Sequence, residues 1–136
     1  MSMLSGRCLC GNISYHSDND PAFTTNCHCT DCRAATGAAY STICFIKSDL
    51  LTINGETKTF QHLSDRGHTM TKHFCPNCGS QLFGENTARA GMIGIRAGTI
   101  KQTNLVAPAR NVYISSKIPS TLIDPSLPAS DRMPEN

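Results

Sequence analysis

The chain contains no tryptophan, and aromatic residues make up only 6% of its 136 positions. Binding of single-stranded nucleic acid by stacking needs aromatic platforms beside a basic stripe. Neither is visible, so no nucleic-acid partner is expected. Charge is sparse as well: 16% of residues are charged and the formal net charge is +2. A balance this small creates no field that would draw in a polyanion or an anionic membrane surface. There is also no run of about 18 apolar residues, the length a membrane-spanning helix requires, so no membrane partner is expected. Residues Met1 to Cys8 lack the apolar stretch of a signal peptide. The expected location is cytoplasmic, where thiols stay reduced and clustered cysteines bind metal more often than each other.

Helix signals are scarce too. The best is a short helical turn from Thr30 or Asp31 through Ala35, with Thr30 or Asp31 as cap and Gly37 as terminator. Strand signals dominate instead. Alternating or β-branched runs occur at Asn12–His16, Tyr40–Ile46, Leu50–Ile53, Thr57–His62, Thr69–Phe74, Ser80–Phe83, Met92–Ile95 and Val112–Ile114. Asn54-Gly55 between the third and fourth predicts a hairpin. From Ser115 onward the chain carries four of its seven prolines. The pattern predicts one mainly-β zinc-binding domain over residues 1–120. An irregular, Pro-rich C-terminal tail over 121–136 would follow, with its last residues poorly ordered.

What the sequence has in quantity is cysteine. Seven of the eight lie in three tight clusters: Cys8-Leu9-Cys10, Cys27-His28-Cys29-Thr30-Asp31-Cys32 and Cys75-Pro76-Asn77-Cys78. An even count would also suit a disulfide framework, but pairs and triples this close favour several thiolates on one ion. The Cys75–Cys78 unit reads as a zinc-knuckle hairpin: a tight turn stiffened by Pro76, with Gly79 permitting a positive φ after the second ligand. It supplies two ligands and needs two more. Cys8 and Cys10, two apart in an extended segment flanked by Gly6 and Gly11, face one way and can provide them. Cys8, Cys10, Cys75 and Cys78 then close a four-thiolate structural zinc site.

Cys27, Cys29 and Cys32 remain. Three thiolates leave one position on a tetrahedral zinc, as in catalytic sites. A soft, sulfur-rich site with an open position suits a thiol ligand. A fourth protein ligand would close it instead, with Cys44, His28 and His73 as candidates. A metal-free reactive thiol at this triple is the other alternative. Arg33, Arg66, Lys72 and Arg96 are candidate carboxylate contacts for a peptide-like thiol. His62 and His68 could move protons, and Glu85 is a conceivable base.

Three stretches together resemble the glutathione-dependent formaldehyde-activating enzyme family, which includes centromere protein V. They are Gly6-Arg7-Cys8-Leu9-Cys10-Gly11, Cys27-His28-Cys29-Thr30-Asp31-Cys32-Arg33 and Phe74-Cys75-Pro76-Asn77-Cys78-Gly79-Ser80. Ala35-Thr36-Gly37 and Ser64-Asp65-Arg66-Gly67 fall in the matching order, and the likeness runs from about Gly6 to Pro119. The resemblance implies a β-sandwich-like fold of two packed antiparallel sheets with the metals at their edges. It implies two zinc ions per chain, one in a structural site of four cysteines and one in a catalytic site of three. It further implies a carbon–sulfur lyase acting on a thiol adduct such as S-(hydroxymethyl)glutathione. The alternative is a non-catalytic, zinc-stabilised binding module for a thiol peptide or protein partner. A methionine-sulfoxide reductase is a weaker third reading, since its nucleophile would have to be Cys44 in an apolar strand.

Overall fold

The computed structural model describes residues 3–134. The extreme ends of the two segments assigned from sequence, residues 1–2 and 135–136, lie outside the described residues. The fold is mainly β, with two sheets and one helix. In chain order the elements are β1 (Leu4–Arg7), β2 (Ser14–Ser17), β3 (Phe23–Cys27), α1 (Thr30–Thr36), β4 (Ser41–Lys47), β5 (Thr52–Asn54), β6 (Lys58–Leu63), β7 (Thr69–Phe74), β8 (Gln81–Asn86), β9 (Met92–Arg96) and β10 (Arg110–Val112). The smaller sheet has the order β1-β2-β5 and the larger β10-β3-β4-β9-β8-β7-β6. All neighbours are antiparallel except β10, which lies parallel to β3.

The core lies where the two sheets face. Leu4, Ile13 and Tyr15 from the smaller sheet side meet Ile46, Leu82, Phe83, Ile93 and Ile95 from the larger, all buried. Tyr15 and Phe83 meet edge to face with ring centroids 5.2 Å apart, a geometry that adds to simple area burial. The Tyr15 hydroxyl is bonded to Thr99 at 2.7 Å, so its one polar atom is satisfied. Cys44 belongs to this core: it is fully buried and its Sγ accepts from the Thr24 hydroxyl at 3.3 Å.

One sequence expectation is corrected here, and two strands were not foreseen. The Asn54-Gly55 turn does not close a hairpin between β5 and β6. β5 pairs with β2 in the smaller sheet, and β6 pairs with β7 in the larger. Gly55, at φ 98°, sits tightly against the Asn12 carbonyl and Ile13, so the turn carries the chain from one sheet to the other. Strands β1 and β3 carry no strong sequence signal. β3 is Phe-Thr-Thr-Asn-Cys, yet Thr24 and Thr25 are buried between neighbouring strands.

Gly6 makes a close approach to the core. A Cβ there would run into the Tyr15 hydroxyl and the Thr99 carbonyl. Gly6→Ala should therefore destabilise the protein by about 1–3 kcal/mol, the usual cost of overpacking. Urea denaturation of the two proteins side by side checks this, and an unchanged midpoint would contradict the close approach.

Candidate functional site

The sequence brings the seven clustered cysteines together in two groups. In the first, the Sγ atoms of Cys8, Cys10, Cys75 and Cys78 all lie within 4.8 Å of one another. Cys8 and Cys10 follow β1, and Cys75 and Cys78 form the turn between β7 and β8. That turn is closed by Gly79 N–H donating to Cys75 O at 2.8 Å and Cys75 N–H donating to Ser80 O at 2.9 Å. Gly79 has φ 78°, the left-handed conformation that glycine accepts without strain. The Cys8 and Cys10 sulfurs are 3.6 Å apart, as are those of Cys10 and Cys75. The Ser80 hydroxyl beside Cys78 at 3.2 Å pulls that thiol down to about 5. Ile13 N–H donates to the Cys8 sulfur at 3.3 Å. Converging sulfurs supported by such donors can hold a metal ion.

The second group is Cys27, Cys29 and Cys32, again with all Sγ atoms within 4.8 Å. Cys27 ends β3 and Cys32 lies in the first turn of α1. Cys29 is the helix cap: its sulfur accepts from Cys32 N–H at 3.2 Å. The cap was expected at Thr30 or Asp31. A thiol takes the position because the chain must leave β3 and start the helix within two residues of Cys27. Gly37 ends the helix at φ 71° as anticipated. Cys27 and Cys32 are buried and Cys29 is partly exposed.

The three thiols share their protons unequally. Hydrogen bonds from the Cys27 and Cys29 thiols, aided by the Arg96 charge, hold Cys32 down to about 3. The same sharing with Cys29 and Cys32, followed by burial, pushes Cys27 up. The sharing favours the thiolate form at Cys32 over Cys27, and a cation would draw the others into the charged form. The donor set fits a soft divalent metal.

No fourth His, Cys, Asp or Glu joins this triad among the described residues. The three candidates named from sequence are engaged elsewhere. Cys44 is in the core. The buried His28 ring is bonded to Asn111 at 3.0 Å and lies against Tyr40. His73 is bonded to Thr57 at 2.9 Å and is 3.4 Å from Glu85.

Above the triad is a cavity of about 120 Å³. Lys72, Glu85 and Arg96, singled out from sequence, line it, whereas Arg33 and His68 do not. Lys72 and Arg96 are 5% and 8% exposed, so both are buried cations beside the sulfurs. Burial, then the neighbouring Arg96 charge, lowers the Lys72 pKa. Lys72 Nζ is hydrogen-bonded to His62 Nε2, and His62 Nδ1 lies 3.9 Å from Asp31 at the surface. Arg96 is anchored by donating to the Ser41 hydroxyl at 2.6 Å. Arg66 is outside the cavity lining and donates to the Met133 carbonyl at 2.8 Å.

Arg89, Tyr113 and Met133 are among the wall residues that were not foreseen. Arg89 stacks over the Phe45 ring at 5.0 Å. Tyr113 is the one non-glycine residue at positive φ among those described, at 58°, and its hydroxyl donates to Asp65 at 2.8 Å. No helix among the described residues is long and apolar enough to cross a membrane.

A sequence profile for the family described as glutathione-dependent formaldehyde-activating enzyme matches residues 3–116. Among solved structures, the crystal structure of a Rhodobacter sphaeroides protein has the same fold. It superposes with a TM-score of 0.57 at 18% identity, over 72% of this chain and 88% of that one.

Proposed function

The chain belongs to the glutathione-dependent formaldehyde-activating enzyme family, and from that premise we propose that it is a zinc-dependent carbon–sulfur lyase acting on a thiol adduct such as S-(hydroxymethyl)glutathione. The observation that carries the reading is the triad of Cys27, Cys29 and Cys32 at the base of a cavity, with no fourth protein ligand among the described residues. In this reading Cys8, Cys10, Cys75 and Cys78 hold a structural zinc, the triad holds a second, and the reduced thiols belong to a cytoplasmic protein.

Zinc bound at the triad would act as a Lewis acid that favours the thiolate form of a sulfur placed beside it. The chain's own residues supply the rest. Three thiolates around a divalent ion leave one negative charge. Lys72 and Arg96 add two buried positive charges, and Glu85 and Arg89 on the same wall offset each other, so one positive charge stays uncompensated until an anionic sulfur enters. A buried charge without a partner is costly, which makes the cavity receptive to a thiolate. In the lyase direction the adduct R–S–CH2–OH loses its hydroxyl proton. The C–S electron pair moves to sulfur, formaldehyde leaves, and the thiol is released after sulfur regains a proton. Lys72 is placed to exchange that proton, with His62 linking it to the surface. Its lowered pKa brings the exchange closer to neutral pH.

The test is release of formaldehyde and free thiol from a panel of hydroxymethyl thiol adducts by the zinc-loaded protein. Turnover lost on chelation and restored by zinc is the expected result. No turnover of any adduct by a fully loaded protein would transfer the chain to the binding-module reading.

A further inference from the structure

The C-terminal tail does not simply trail from the sheets. It turns back along β10: Asn111 N–H donates to Pro128 O at 3.0 Å and Ser130 N–H donates to Asn111 O at 3.0 Å, a parallel bridge centred on Ala129. Ile114 N–H donates to Ser130 O at 3.1 Å, and the Ser115 hydroxyl donates to Asp131 O at 2.6 Å. These bonds deliver Met133, partly exposed, to the cavity wall, where its side chain packs beside Cys27, Cys32 and Val112. Its carbonyl accepts from Arg66 at 2.8 Å and its sulfur lies 3.2 Å from Arg89 Nη2.

The cavity that Met133 helps to line is about 120 Å³. Pockets that enclose drug-sized ligands measure about 300–1,000 Å³. A glutathione adduct is of that larger size and carries two carboxylates and an ammonium group. Beyond the triad and its two buried cations the walls are mostly apolar, with Ile43, Phe45, Met70 and Met92 among them. Arg89, the remaining cation, is already committed to the Phe45 ring and the Met133 sulfur. Bringing a peptide's charged ends in here would strip their water and offer few free charged partners, since Glu85 on the wall already lies 3.4 Å from His73.

We propose that residues 129–133 form a size gate over the triad. With Met133 in place the site takes adducts of short, uncharged thiols, and a glutathione-sized adduct enters only when the segment undocks. This rests on the triad being the thiol-binding zinc site of the proposed function. A ligand that must wait for a minor undocked form has its apparent affinity reduced by the fraction undocked.

Calorimetric titration of 2-mercaptoethanol and of glutathione into the zinc-loaded full chain, the Met133→Ala variant and a chain ending at Leu127 tests the gate. The full chain should bind 2-mercaptoethanol about tenfold more tightly than glutathione or better. Truncation should raise the glutathione affinity by about tenfold while moving the 2-mercaptoethanol affinity by less than about threefold. Met133→Ala should shift the glutathione affinity in the same direction by a smaller factor. It keeps the backbone bonds of the tail, and so decides the matter alone if the truncated chain fails to fold. Equal binding of both thiols by the full chain, or no gain for glutathione in either variant, overturns the gate. Binding of neither thiol overturns the gate and the lyase reading together. Size-selective binding without turnover of either hydroxymethyl adduct sinks the lyase reading and leaves the gate standing.

Discussion

Cys75→Ala should leave the chain unfolded even with zinc in excess, read as loss of the β-sheet circular dichroism signal and of resistance to proteolysis. Cys75 is fully buried and begins the turn that joins β7 to β8 in the larger sheet. Its partners Cys8 and Cys10 follow β1 of the smaller sheet. One ion at this place would tie the two sheets together at their edge. Structural zinc in small domains binds with apparent free energies of about 10–16 kcal/mol. Whole domains of this size are stable by only about 5–15 kcal/mol. The first figure is as large as the second, so a damaged site removes the margin on which folding rests. The substitution also leaves a gap in a fully buried position beside Cys8, adding a packing loss of its own. A Cys75→Ala protein that melts where the unaltered one does would show that this cluster does not hold the fold together.

Much of the site was legible because its cysteines are neighbours in sequence. Cys8 with Cys10, Cys27 with Cys29 and Cys32, and Cys75 with Cys78 are local patterns, and local patterns survive folding. Gly37 and Gly79 were readable for the same reason: the left-handed conformation each adopts is dictated by the helix end or turn it closes. What surrounds the cysteines was legible only in part: Lys72 and Arg96 were named as candidate contacts, but not their burial. Arg89, Tyr113 and Met133 come from elements scattered over the chain, and only the sheet order places them round one cavity. Lys72 and Arg96 carry a charge that ordinarily stays in water, so nothing local marks them as buried. Met133 sits in a Pro-rich tail whose composition predicts irregular structure. That tail is irregular, yet it is pinned by backbone hydrogen bonds to β10 that composition does not encode. The Asn54-Gly55 turn failed as a hairpin signal for a related reason. A turn sets the local chain reversal, but the choice of sheet was made by β2, whose side away from β1 pairs Tyr15 with Ile53.

Cys29→Ala should separate the two metal groups. Zinc per chain should fall from two to one in a protein that keeps its β signal, and lyase turnover should drop by at least about a hundredfold. Even residues that only orient a metal ligand cost about 10- to 100-fold when removed, and Cys29 would be a ligand itself. The fold should survive for reasons visible in the structure. Cys29 is partly exposed, lies outside the main core, and contributes one helix cap to a seven-residue helix. Loss of such a cap costs about 1 kcal/mol, small beside the contribution of the four-cysteine site. The same substitution distinguishes the two functional readings. In a lyase the triad works and the other cluster supports, so the two sets of variants part company. In a binding module stabilised by both metals, Cys29→Ala and Cys75→Ala would unfold the chain alike. A folded Cys29→Ala protein that still releases formaldehyde at the original rate would move the chemistry away from the triad altogether, and the buried pair of Lys72 and Arg96 would then be balancing thiolates that take no part in turnover.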